Sequence, residues 1–162
     1  MKPKVYLETT VISYLTAWPS RDLVMAANQE TTREWWTNRR DSFDLFVSQT
    51  VIKESSSGNK EAAERRLEVL KQFPRLDITA EAETLATKLV SALPLPPKAM
   101  TDALHIAVSA VNGMNYLLTW NCAHIANATL RSQIEDVCRS AGYEPPIICT
   151  PQEMLEQGDS NA

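Results

Sequence analysis

No run of apolar residues in this 162-residue chain approaches the roughly 18 that a membrane-spanning helix needs. At its start, Met1-Lys2-Pro3-Lys4 is followed by only Val5-Tyr6-Leu7 before Glu8, too little for the apolar core of a secretory leader. A cytoplasmic protein with no membrane partner is expected. Cysteine is scarce: Cys122, Cys138 and Cys149 cannot all pair within one chain, and their spacing matches no zinc-ribbon or redox pattern. Reduced thiols follow. Basic charge is short as well, with 16 Lys+Arg against 20 Asp+Glu, a formal net charge of −4 and a pI near 5.2. The global basic excess of many nucleic-acid binders is therefore missing. Internal repeats and low-complexity stretches are absent too. What remains, 44% hydrophobic and 22% charged residues, is the composition of an ordinary folded protein. The length suits one domain, expected over residues 1–156, with a loose polar tail at 157–162.

Short apolar runs alternate with helical patterns. Val5-Tyr6-Leu7 reads as a strand, and Thr9-Thr10 then caps a helix carrying Val11, Ile12 and Leu15. Pro19-Ser20 ends it, and Ser20 is expected to cap a helix from about Asp22 to Arg40 with Leu23, Val24, Ala27 and Thr31 on one side. Phe43 to Val47 reads as a second strand, followed by a short helix capped by Ser48-Gln49-Thr50 and carrying Val51, Ile52 and Glu54. Further helices are expected at Lys60 to Phe73, from Thr79 or Ala80 through Leu93, at Lys98 to Asn112, at Ala123 to Ala141 and from Thr150. A brief strand fits Arg75 to Ile78, and further strands fit Tyr116 to Trp120 and Pro145 to Cys149. Strands separated by helices require crossover connections, which predicts a mostly parallel sheet in a three-layer α/β/α sandwich.

In such sheets, polar chemistry gathers outside the carboxyl ends of the strands. Glu8 ends the first strand, Asn121 lies just past the Tyr116 strand, Glu54 follows the second strand, and Asp102 opens the helix before the Tyr116 strand. Packing Glu8, Glu54 and Asp102 in one crevice is costly unless a cation or protons compensate. Oxygen ligands of this kind suit Mg²⁺ or Mn²⁺, and the chemistry they imply is metal-assisted phosphodiester hydrolysis.

Four ordered stretches, Val5 to Ile12, Val47 to Glu54, Thr101-Asp102-Ala103-Leu104-His105-Ile106-Ala107 and Leu117-Leu118-Thr119-Trp120-Asn121, resemble the motifs of the PIN-domain superfamily, especially its VapC-like toxins. The resemblance runs from Lys4 to Ile148. It implies a PIN-like fold, metal-binding acids at Glu8, Glu54 and Asp102, and a fourth active-site position at Asn121. It also implies Mg²⁺-dependent endoribonuclease activity on RNA, a homodimer and an antitoxin partner. Two positions depart from the pattern: Glu8 and Asn121 each stand where the family usually has Asp. Glu8 keeps the charge on an arm one methylene longer, whereas Asn121 loses a charge but keeps a carbonyl acceptor.

Each residue also has a plainer reading. Glu8 and Asp102 could serve helix N-termini, Glu54 could be a solvated helix residue, and Asn121 a capping residue. His105, three residues beyond Asp102, could orient that carboxylate or be a packed histidine, and His124 reads as a helix-start residue. Thr9, Thr10 and Thr119 fit either capping or a metal-bound water. Trp18, Trp35, Trp36 and Trp120 could stack on bases or pack in the core. Arg21, Arg33, Arg39 and Arg40 could guide phosphates or be a solvated face. Two further functional readings are a PIN-like binding or regulatory module without catalysis, and a phosphatase of another α/β fold. The phosphatase would need a nucleophilic aspartate where Glu8 stands.

Overall fold

The computed structural model describes residues 1–155; the tail expected at 157–162 lies outside them. Val5, Tyr6 and Leu7 are fully buried because their strand, β1 (Lys4–Leu7), is the middle one of five. A strand covered on both faces carries a continuous apolar run rather than an alternating one. β2 (Asp44–Ser48) and β3 (Arg75–Leu76) extend the sheet on one side, β4 (Tyr116–Leu118) and β5 (Ile147–Cys149) on the other, in the order β3-β2-β1-β4-β5. Every pairing is parallel, and Tyr6 stands opposite Phe46 on one flank and Leu117 on the other.

The helices are α1 (Thr9–Thr16), α2 (Leu23–Arg39), α3 (Gln49–Ser55), α4 (Lys60–Leu70), α5 (Ala80–Ala92), α6 (Met100–Val111) and α7 (Arg131–Ser140). They complete the expected three-layer α/β sandwich. None of the described helices is long and apolar enough to cross a membrane. Caps fix most of their starts: Ser48 accepts from Val51 N–H, Asn59 from Ala62 N–H and Thr79 from Ala82 N–H. Removing the Thr79 hydroxyl in Thr79→Ala is expected to cost about 1 kcal/mol, read as a lowered urea midpoint with unchanged slope.

Four local expectations are corrected. The cap of α2 is Asp22, which accepts from Met25 N–H, while Ser20 accepts from Asp22 N–H. The buried face of α2 is Gln29, Thr32 and Trp35, and Leu23 and Val24 are exposed. The helix expected at Ala123 to Ala141 begins only at Arg131, because Asn121 and Asn127 draw the chain into turns. Asn121 Oδ1 accepts from His124 N–H, and Asn127 Oδ1 accepts from both the N–H and the hydroxyl of Thr129, local bonds that compete with helix. Thr150 begins a turn instead of a helix, closed when Glu153 accepts from Thr150 N–H.

The cysteines are free, Cys122 exposed and Cys138 and Cys149 buried. Burial pushes the Cys138 thiol up to about 11 and the Cys149 thiol up to about 12. Both are thus protonated as well as shielded at pH 8, and the thiolate is the reactive form. A thiol-titrating disulfide reagent at pH 8 is expected to modify Cys122 alone in the native chain, and all of Cys122, Cys138 and Cys149 after unfolding.

Candidate active site

The carboxyl ends of β1 and β4, the start of α1 and the helices α3 and α6 meet at one edge of the sheet. Glu8 is the residue between β1 and α1 and is 3% exposed. Its Oε2 accepts from Thr10 N–H at 3.1 Å, which makes Glu8 the cap of α1 in place of the expected Thr9-Thr10, both of which lie inside the helix. Its Oε1 accepts from the Thr10 hydroxyl at 2.5 Å and the Thr119 hydroxyl at 2.6 Å. Those two hydroxyls in turn accept from Trp120 N–H and Asn121 N–H. One carboxylate therefore stitches the end of β4 to the start of α1. The capping reading of Glu8 is correct, and it does not remove the anion from the edge of the sheet.

Glu54, in the last turn of α3, reaches the same place. Its Oε1 lies 2.6 Å from the Thr9 hydroxyl, which donates to it, and 2.6 Å from His105 Nε2. Burial pushes the Glu54 carboxyl up, but the hydrogen bonds from His105 and Thr9 and the proximity of the imidazole outweigh it and hold the group below the ordinary glutamate value. His105 is fully buried in α6, a packed and hydrogen-bonded histidine, but its carboxylate partner is Glu54. Behind it, Tyr6 Oη lies 2.7 Å from His105 Nδ1 and 2.7 Å from Ser48 Oγ. Burial pushes the Tyr6 phenol far above its usual range, so this hydroxyl keeps its proton.

Glu8, Glu54 and His105 offer donor atoms that lie within 4.8 Å of one another. Two carboxylates this close, one of them almost wholly removed from water, fit a hard divalent cation: the ion offsets both their repulsion and their desolvation. Asp102 is not one of the three. Its Oδ2 lies 2.7 Å from His124 Nδ1, and His124 N–H donates to Asn121 Oδ1 at 3.1 Å. Asp102, His124 and Asn121 thus form a second, adjoining group, joined to Glu8 through the bond from Asn121 N–H to Thr119. His124, Tyr6 and Ser48 were not legible as partners in the sequence.

The aromatic and basic residues resolve mainly into packing. Trp35 is fully buried and stacks on Phe43, and Trp36 packs edge-on against Phe73. Trp120 stacks on Tyr14 and donates from Nε1 to Thr32. Trp18 is exposed, with the Arg65 guanidinium over its ring. Arg33 and Arg39 donate to the Ala17 and Met154 carbonyls, and Arg40 covers Trp36.

The model of the PIN domain matches residues 5–121, a span that contains Glu8, Glu54, Asp102 and Asn121. The chain belongs to the PIN-domain family. Its fold is shared by solved structures that include two VapC and VapBC proteins. One is Mycobacterium tuberculosis VapC20, a toxin that cleaves the sarcin-ricin loop, with TM-score 0.59 and 14% identity, covering 88% of this chain and 99% of that one. The other is VapBC2 from Rickettsia felis, bound to a DNA fragment from its promoter, with TM-score 0.53 and 16% identity, covering 91% and 98%. No curated protein matches this chain in sequence. The PIN-like fold implied by the four sequence motifs is thereby borne out, and family membership supplies the context for its acidic edge.

Proposed function

We propose that this PIN domain is a metal-dependent endoribonuclease, the toxin of a type II toxin–antitoxin pair, with Glu8, Glu54, Asp102 and Asn121 holding Mg²⁺ or Mn²⁺. The observation that carries the reading is the convergence of Glu8 and Glu54 at the sheet edge. A bound divalent ion supplies an activated water and offsets charge on the phosphate undergoing attack. The protein supplies the preorganisation. Thr10 and Thr119 hold Glu8, and Thr9 and His105 hold Glu54 by one oxygen. His124 joins the Asp102 carboxylate to the Asn121 side chain. RNA is the substrate and a small antitoxin the protein partner; the chain acts as a cytoplasmic homodimer. Its domain is the whole of 1–156. Because the surface has no net basic excess, RNA binding is expected to be weak and to fall steeply with salt.

A second reading, a PIN module that binds without cleaving, draws on Asn121, whose carbonyl oxygen is occupied by His124 N–H and which carries no charge. Calorimetric titration with Mg²⁺ and Mn²⁺ beside a cleavage assay on single-stranded RNA separates the two. Metal binding with metal-dependent cleavage supports the nuclease; metal binding without cleavage supports the module. Co-purification with the product of a small adjoining open reading frame tests the antitoxin.

A further inference from the structure

His105 can relate to Glu54 in two ways: as a third ligand for the same cation through Nε2, or as a donor that fixes the carboxylate. The hydrogen atoms behind it decide between them. Ser48 is fully buried, and its Oγ accepts from Val51 N–H. Among the described residues, the only acceptor for its own hydroxyl proton is Tyr6 Oη, at 2.7 Å. If Ser48 donates to Tyr6, the phenol proton is free to point at His105 Nδ1, at 2.7 Å. Nδ1 must then be the acceptor, so the ring proton is on Nε2 and donates to Glu54 Oε1 at 2.6 Å. Running the chain the other way, with Nδ1–H donating to Tyr6 and Tyr6 to Ser48, leaves a buried Ser48 proton without a partner. Unpaired buried donors are what folded proteins avoid. A neutral Nδ1–H ring would also set a bare Nε2 lone pair against a carboxylate oxygen at hydrogen-bond distance.

We propose that Ser48, Tyr6 and His105 form a one-directional hydrogen-bond chain in which His105 Nδ1 accepts from Tyr6 and Nε2–H donates to Glu54, making His105 a positioning residue for Glu54 and not a metal ligand. The positioning role rests on Glu54 holding the metal; the tautomer does not. With Oε1 taken by His105 and Thr9, Glu54 is left to ligate through Oε2. Second partners of this kind typically change metal affinity by about 10–100-fold when removed.

The test begins with the full chain, metal-free and labelled with ¹⁵N-histidine. Long-range ¹H–¹⁵N correlation is expected to show the neutral Nε2–H pattern for His105; an Nδ1–H or imidazolium pattern overturns the proposal. Tyr6→Phe keeps the ring but removes the proton aimed at Nδ1, and its His105 signals are expected to shift toward a mixture of tautomers; an unchanged spectrum overturns the chain. Adding Mg²⁺ to saturation is expected to leave the Nε2 proton in place, whereas its loss marks ligation and overturns the positioning role. For affinity, His105→Leu is expected to weaken Mn²⁺ binding about tenfold or more, and His105→Gln, whose amide can donate to Glu54, to recover most of it. Equal affinity in wild type and His105→Leu overturns the role. Absence of any metal binding by the wild type overturns the positioning role together with the nuclease reading, while the metal-free spectrum still decides the tautomer.

Discussion

Glu54→Gln is expected to lower metal-dependent RNA cleavage by roughly a hundredfold or more while the chain stays folded. The size follows from removing a charged ligand whose metal contributes several kcal/mol at the transition state, with about 1.4 kcal/mol per tenfold in rate. Glutamine is the informative replacement. It retains a carbonyl oxygen for Thr9 and His105, the two donors that now meet Glu54 Oε1, and replaces the other oxygen, with the charge, by an amide nitrogen that cannot ligate. Glu54→Ala would also leave the buried His105 without its acceptor and cost stability of about 1–3 kcal/mol, confusing a lost fold with a lost site. Cleavage at the wild-type rate, with Mn²⁺ present and the melting curve unchanged, would refute the nuclease assignment. Asp102→Ala is expected to abolish cleavage as well; loss through Asp102 alone would move the metal toward the group containing His124.

The largest stability effect is expected from Trp35→Ala. Trp35 is fully buried, and its ring lies 6.2 Å from that of Phe43, nearly parallel to it. Losing such a side chain costs about 3–5 kcal/mol in transfer and cavity terms, or roughly 10 °C in melting temperature for a chain of this size. Trp35→Phe gives the control. Trp35 Nε1 is a buried donor with no hydrogen-bond partner among the described residues, so phenylalanine loses volume but also removes an unpaired N–H, and the expected cost is less than half. A full-sized loss in both variants would show that the indole nitrogen does find a partner in solution.

The parts of the fold that were legible in the sequence are those governed by local pattern. β1 and β4 are short apolar runs bounded by polar residues, and the hydroxyls at Ser48 and Thr79 signalled the starts of α3 and α5. α2 misled because its buried face includes Gln29 and Thr32; it packs through hydrogen-bonded polar groups, which hydropathy does not mark. Glu8 and Glu54 could be found because strand ends are where chemistry collects in parallel sheets. The partner of His105 could not. Its spacing from Asp102 pointed along one helix, but the contact it makes is across the crossing of α6 with α3. Tyr6 looked like one more core residue, and nothing in a sequence tells a buried phenol that only fills space from one that holds a proton in place.

The central position of β1 has a consequence for how the protein is made. β1 leaves the ribosome well before β4, so its β4 flank waits for Tyr116 to Leu118. Glu8 and the Thr119 that holds it are 111 residues apart in the chain. At about 5–20 residues per second, roughly 5–20 s of translation separate the two halves of the acidic edge. Throughout that interval Glu8 has the Thr10 hydroxyl beside it but lacks that of Thr119. Synthesis itself thus delays assembly of the acidic edge until Thr119 has been made, leaving a period in which Glu8 is present and its β4 partner is not.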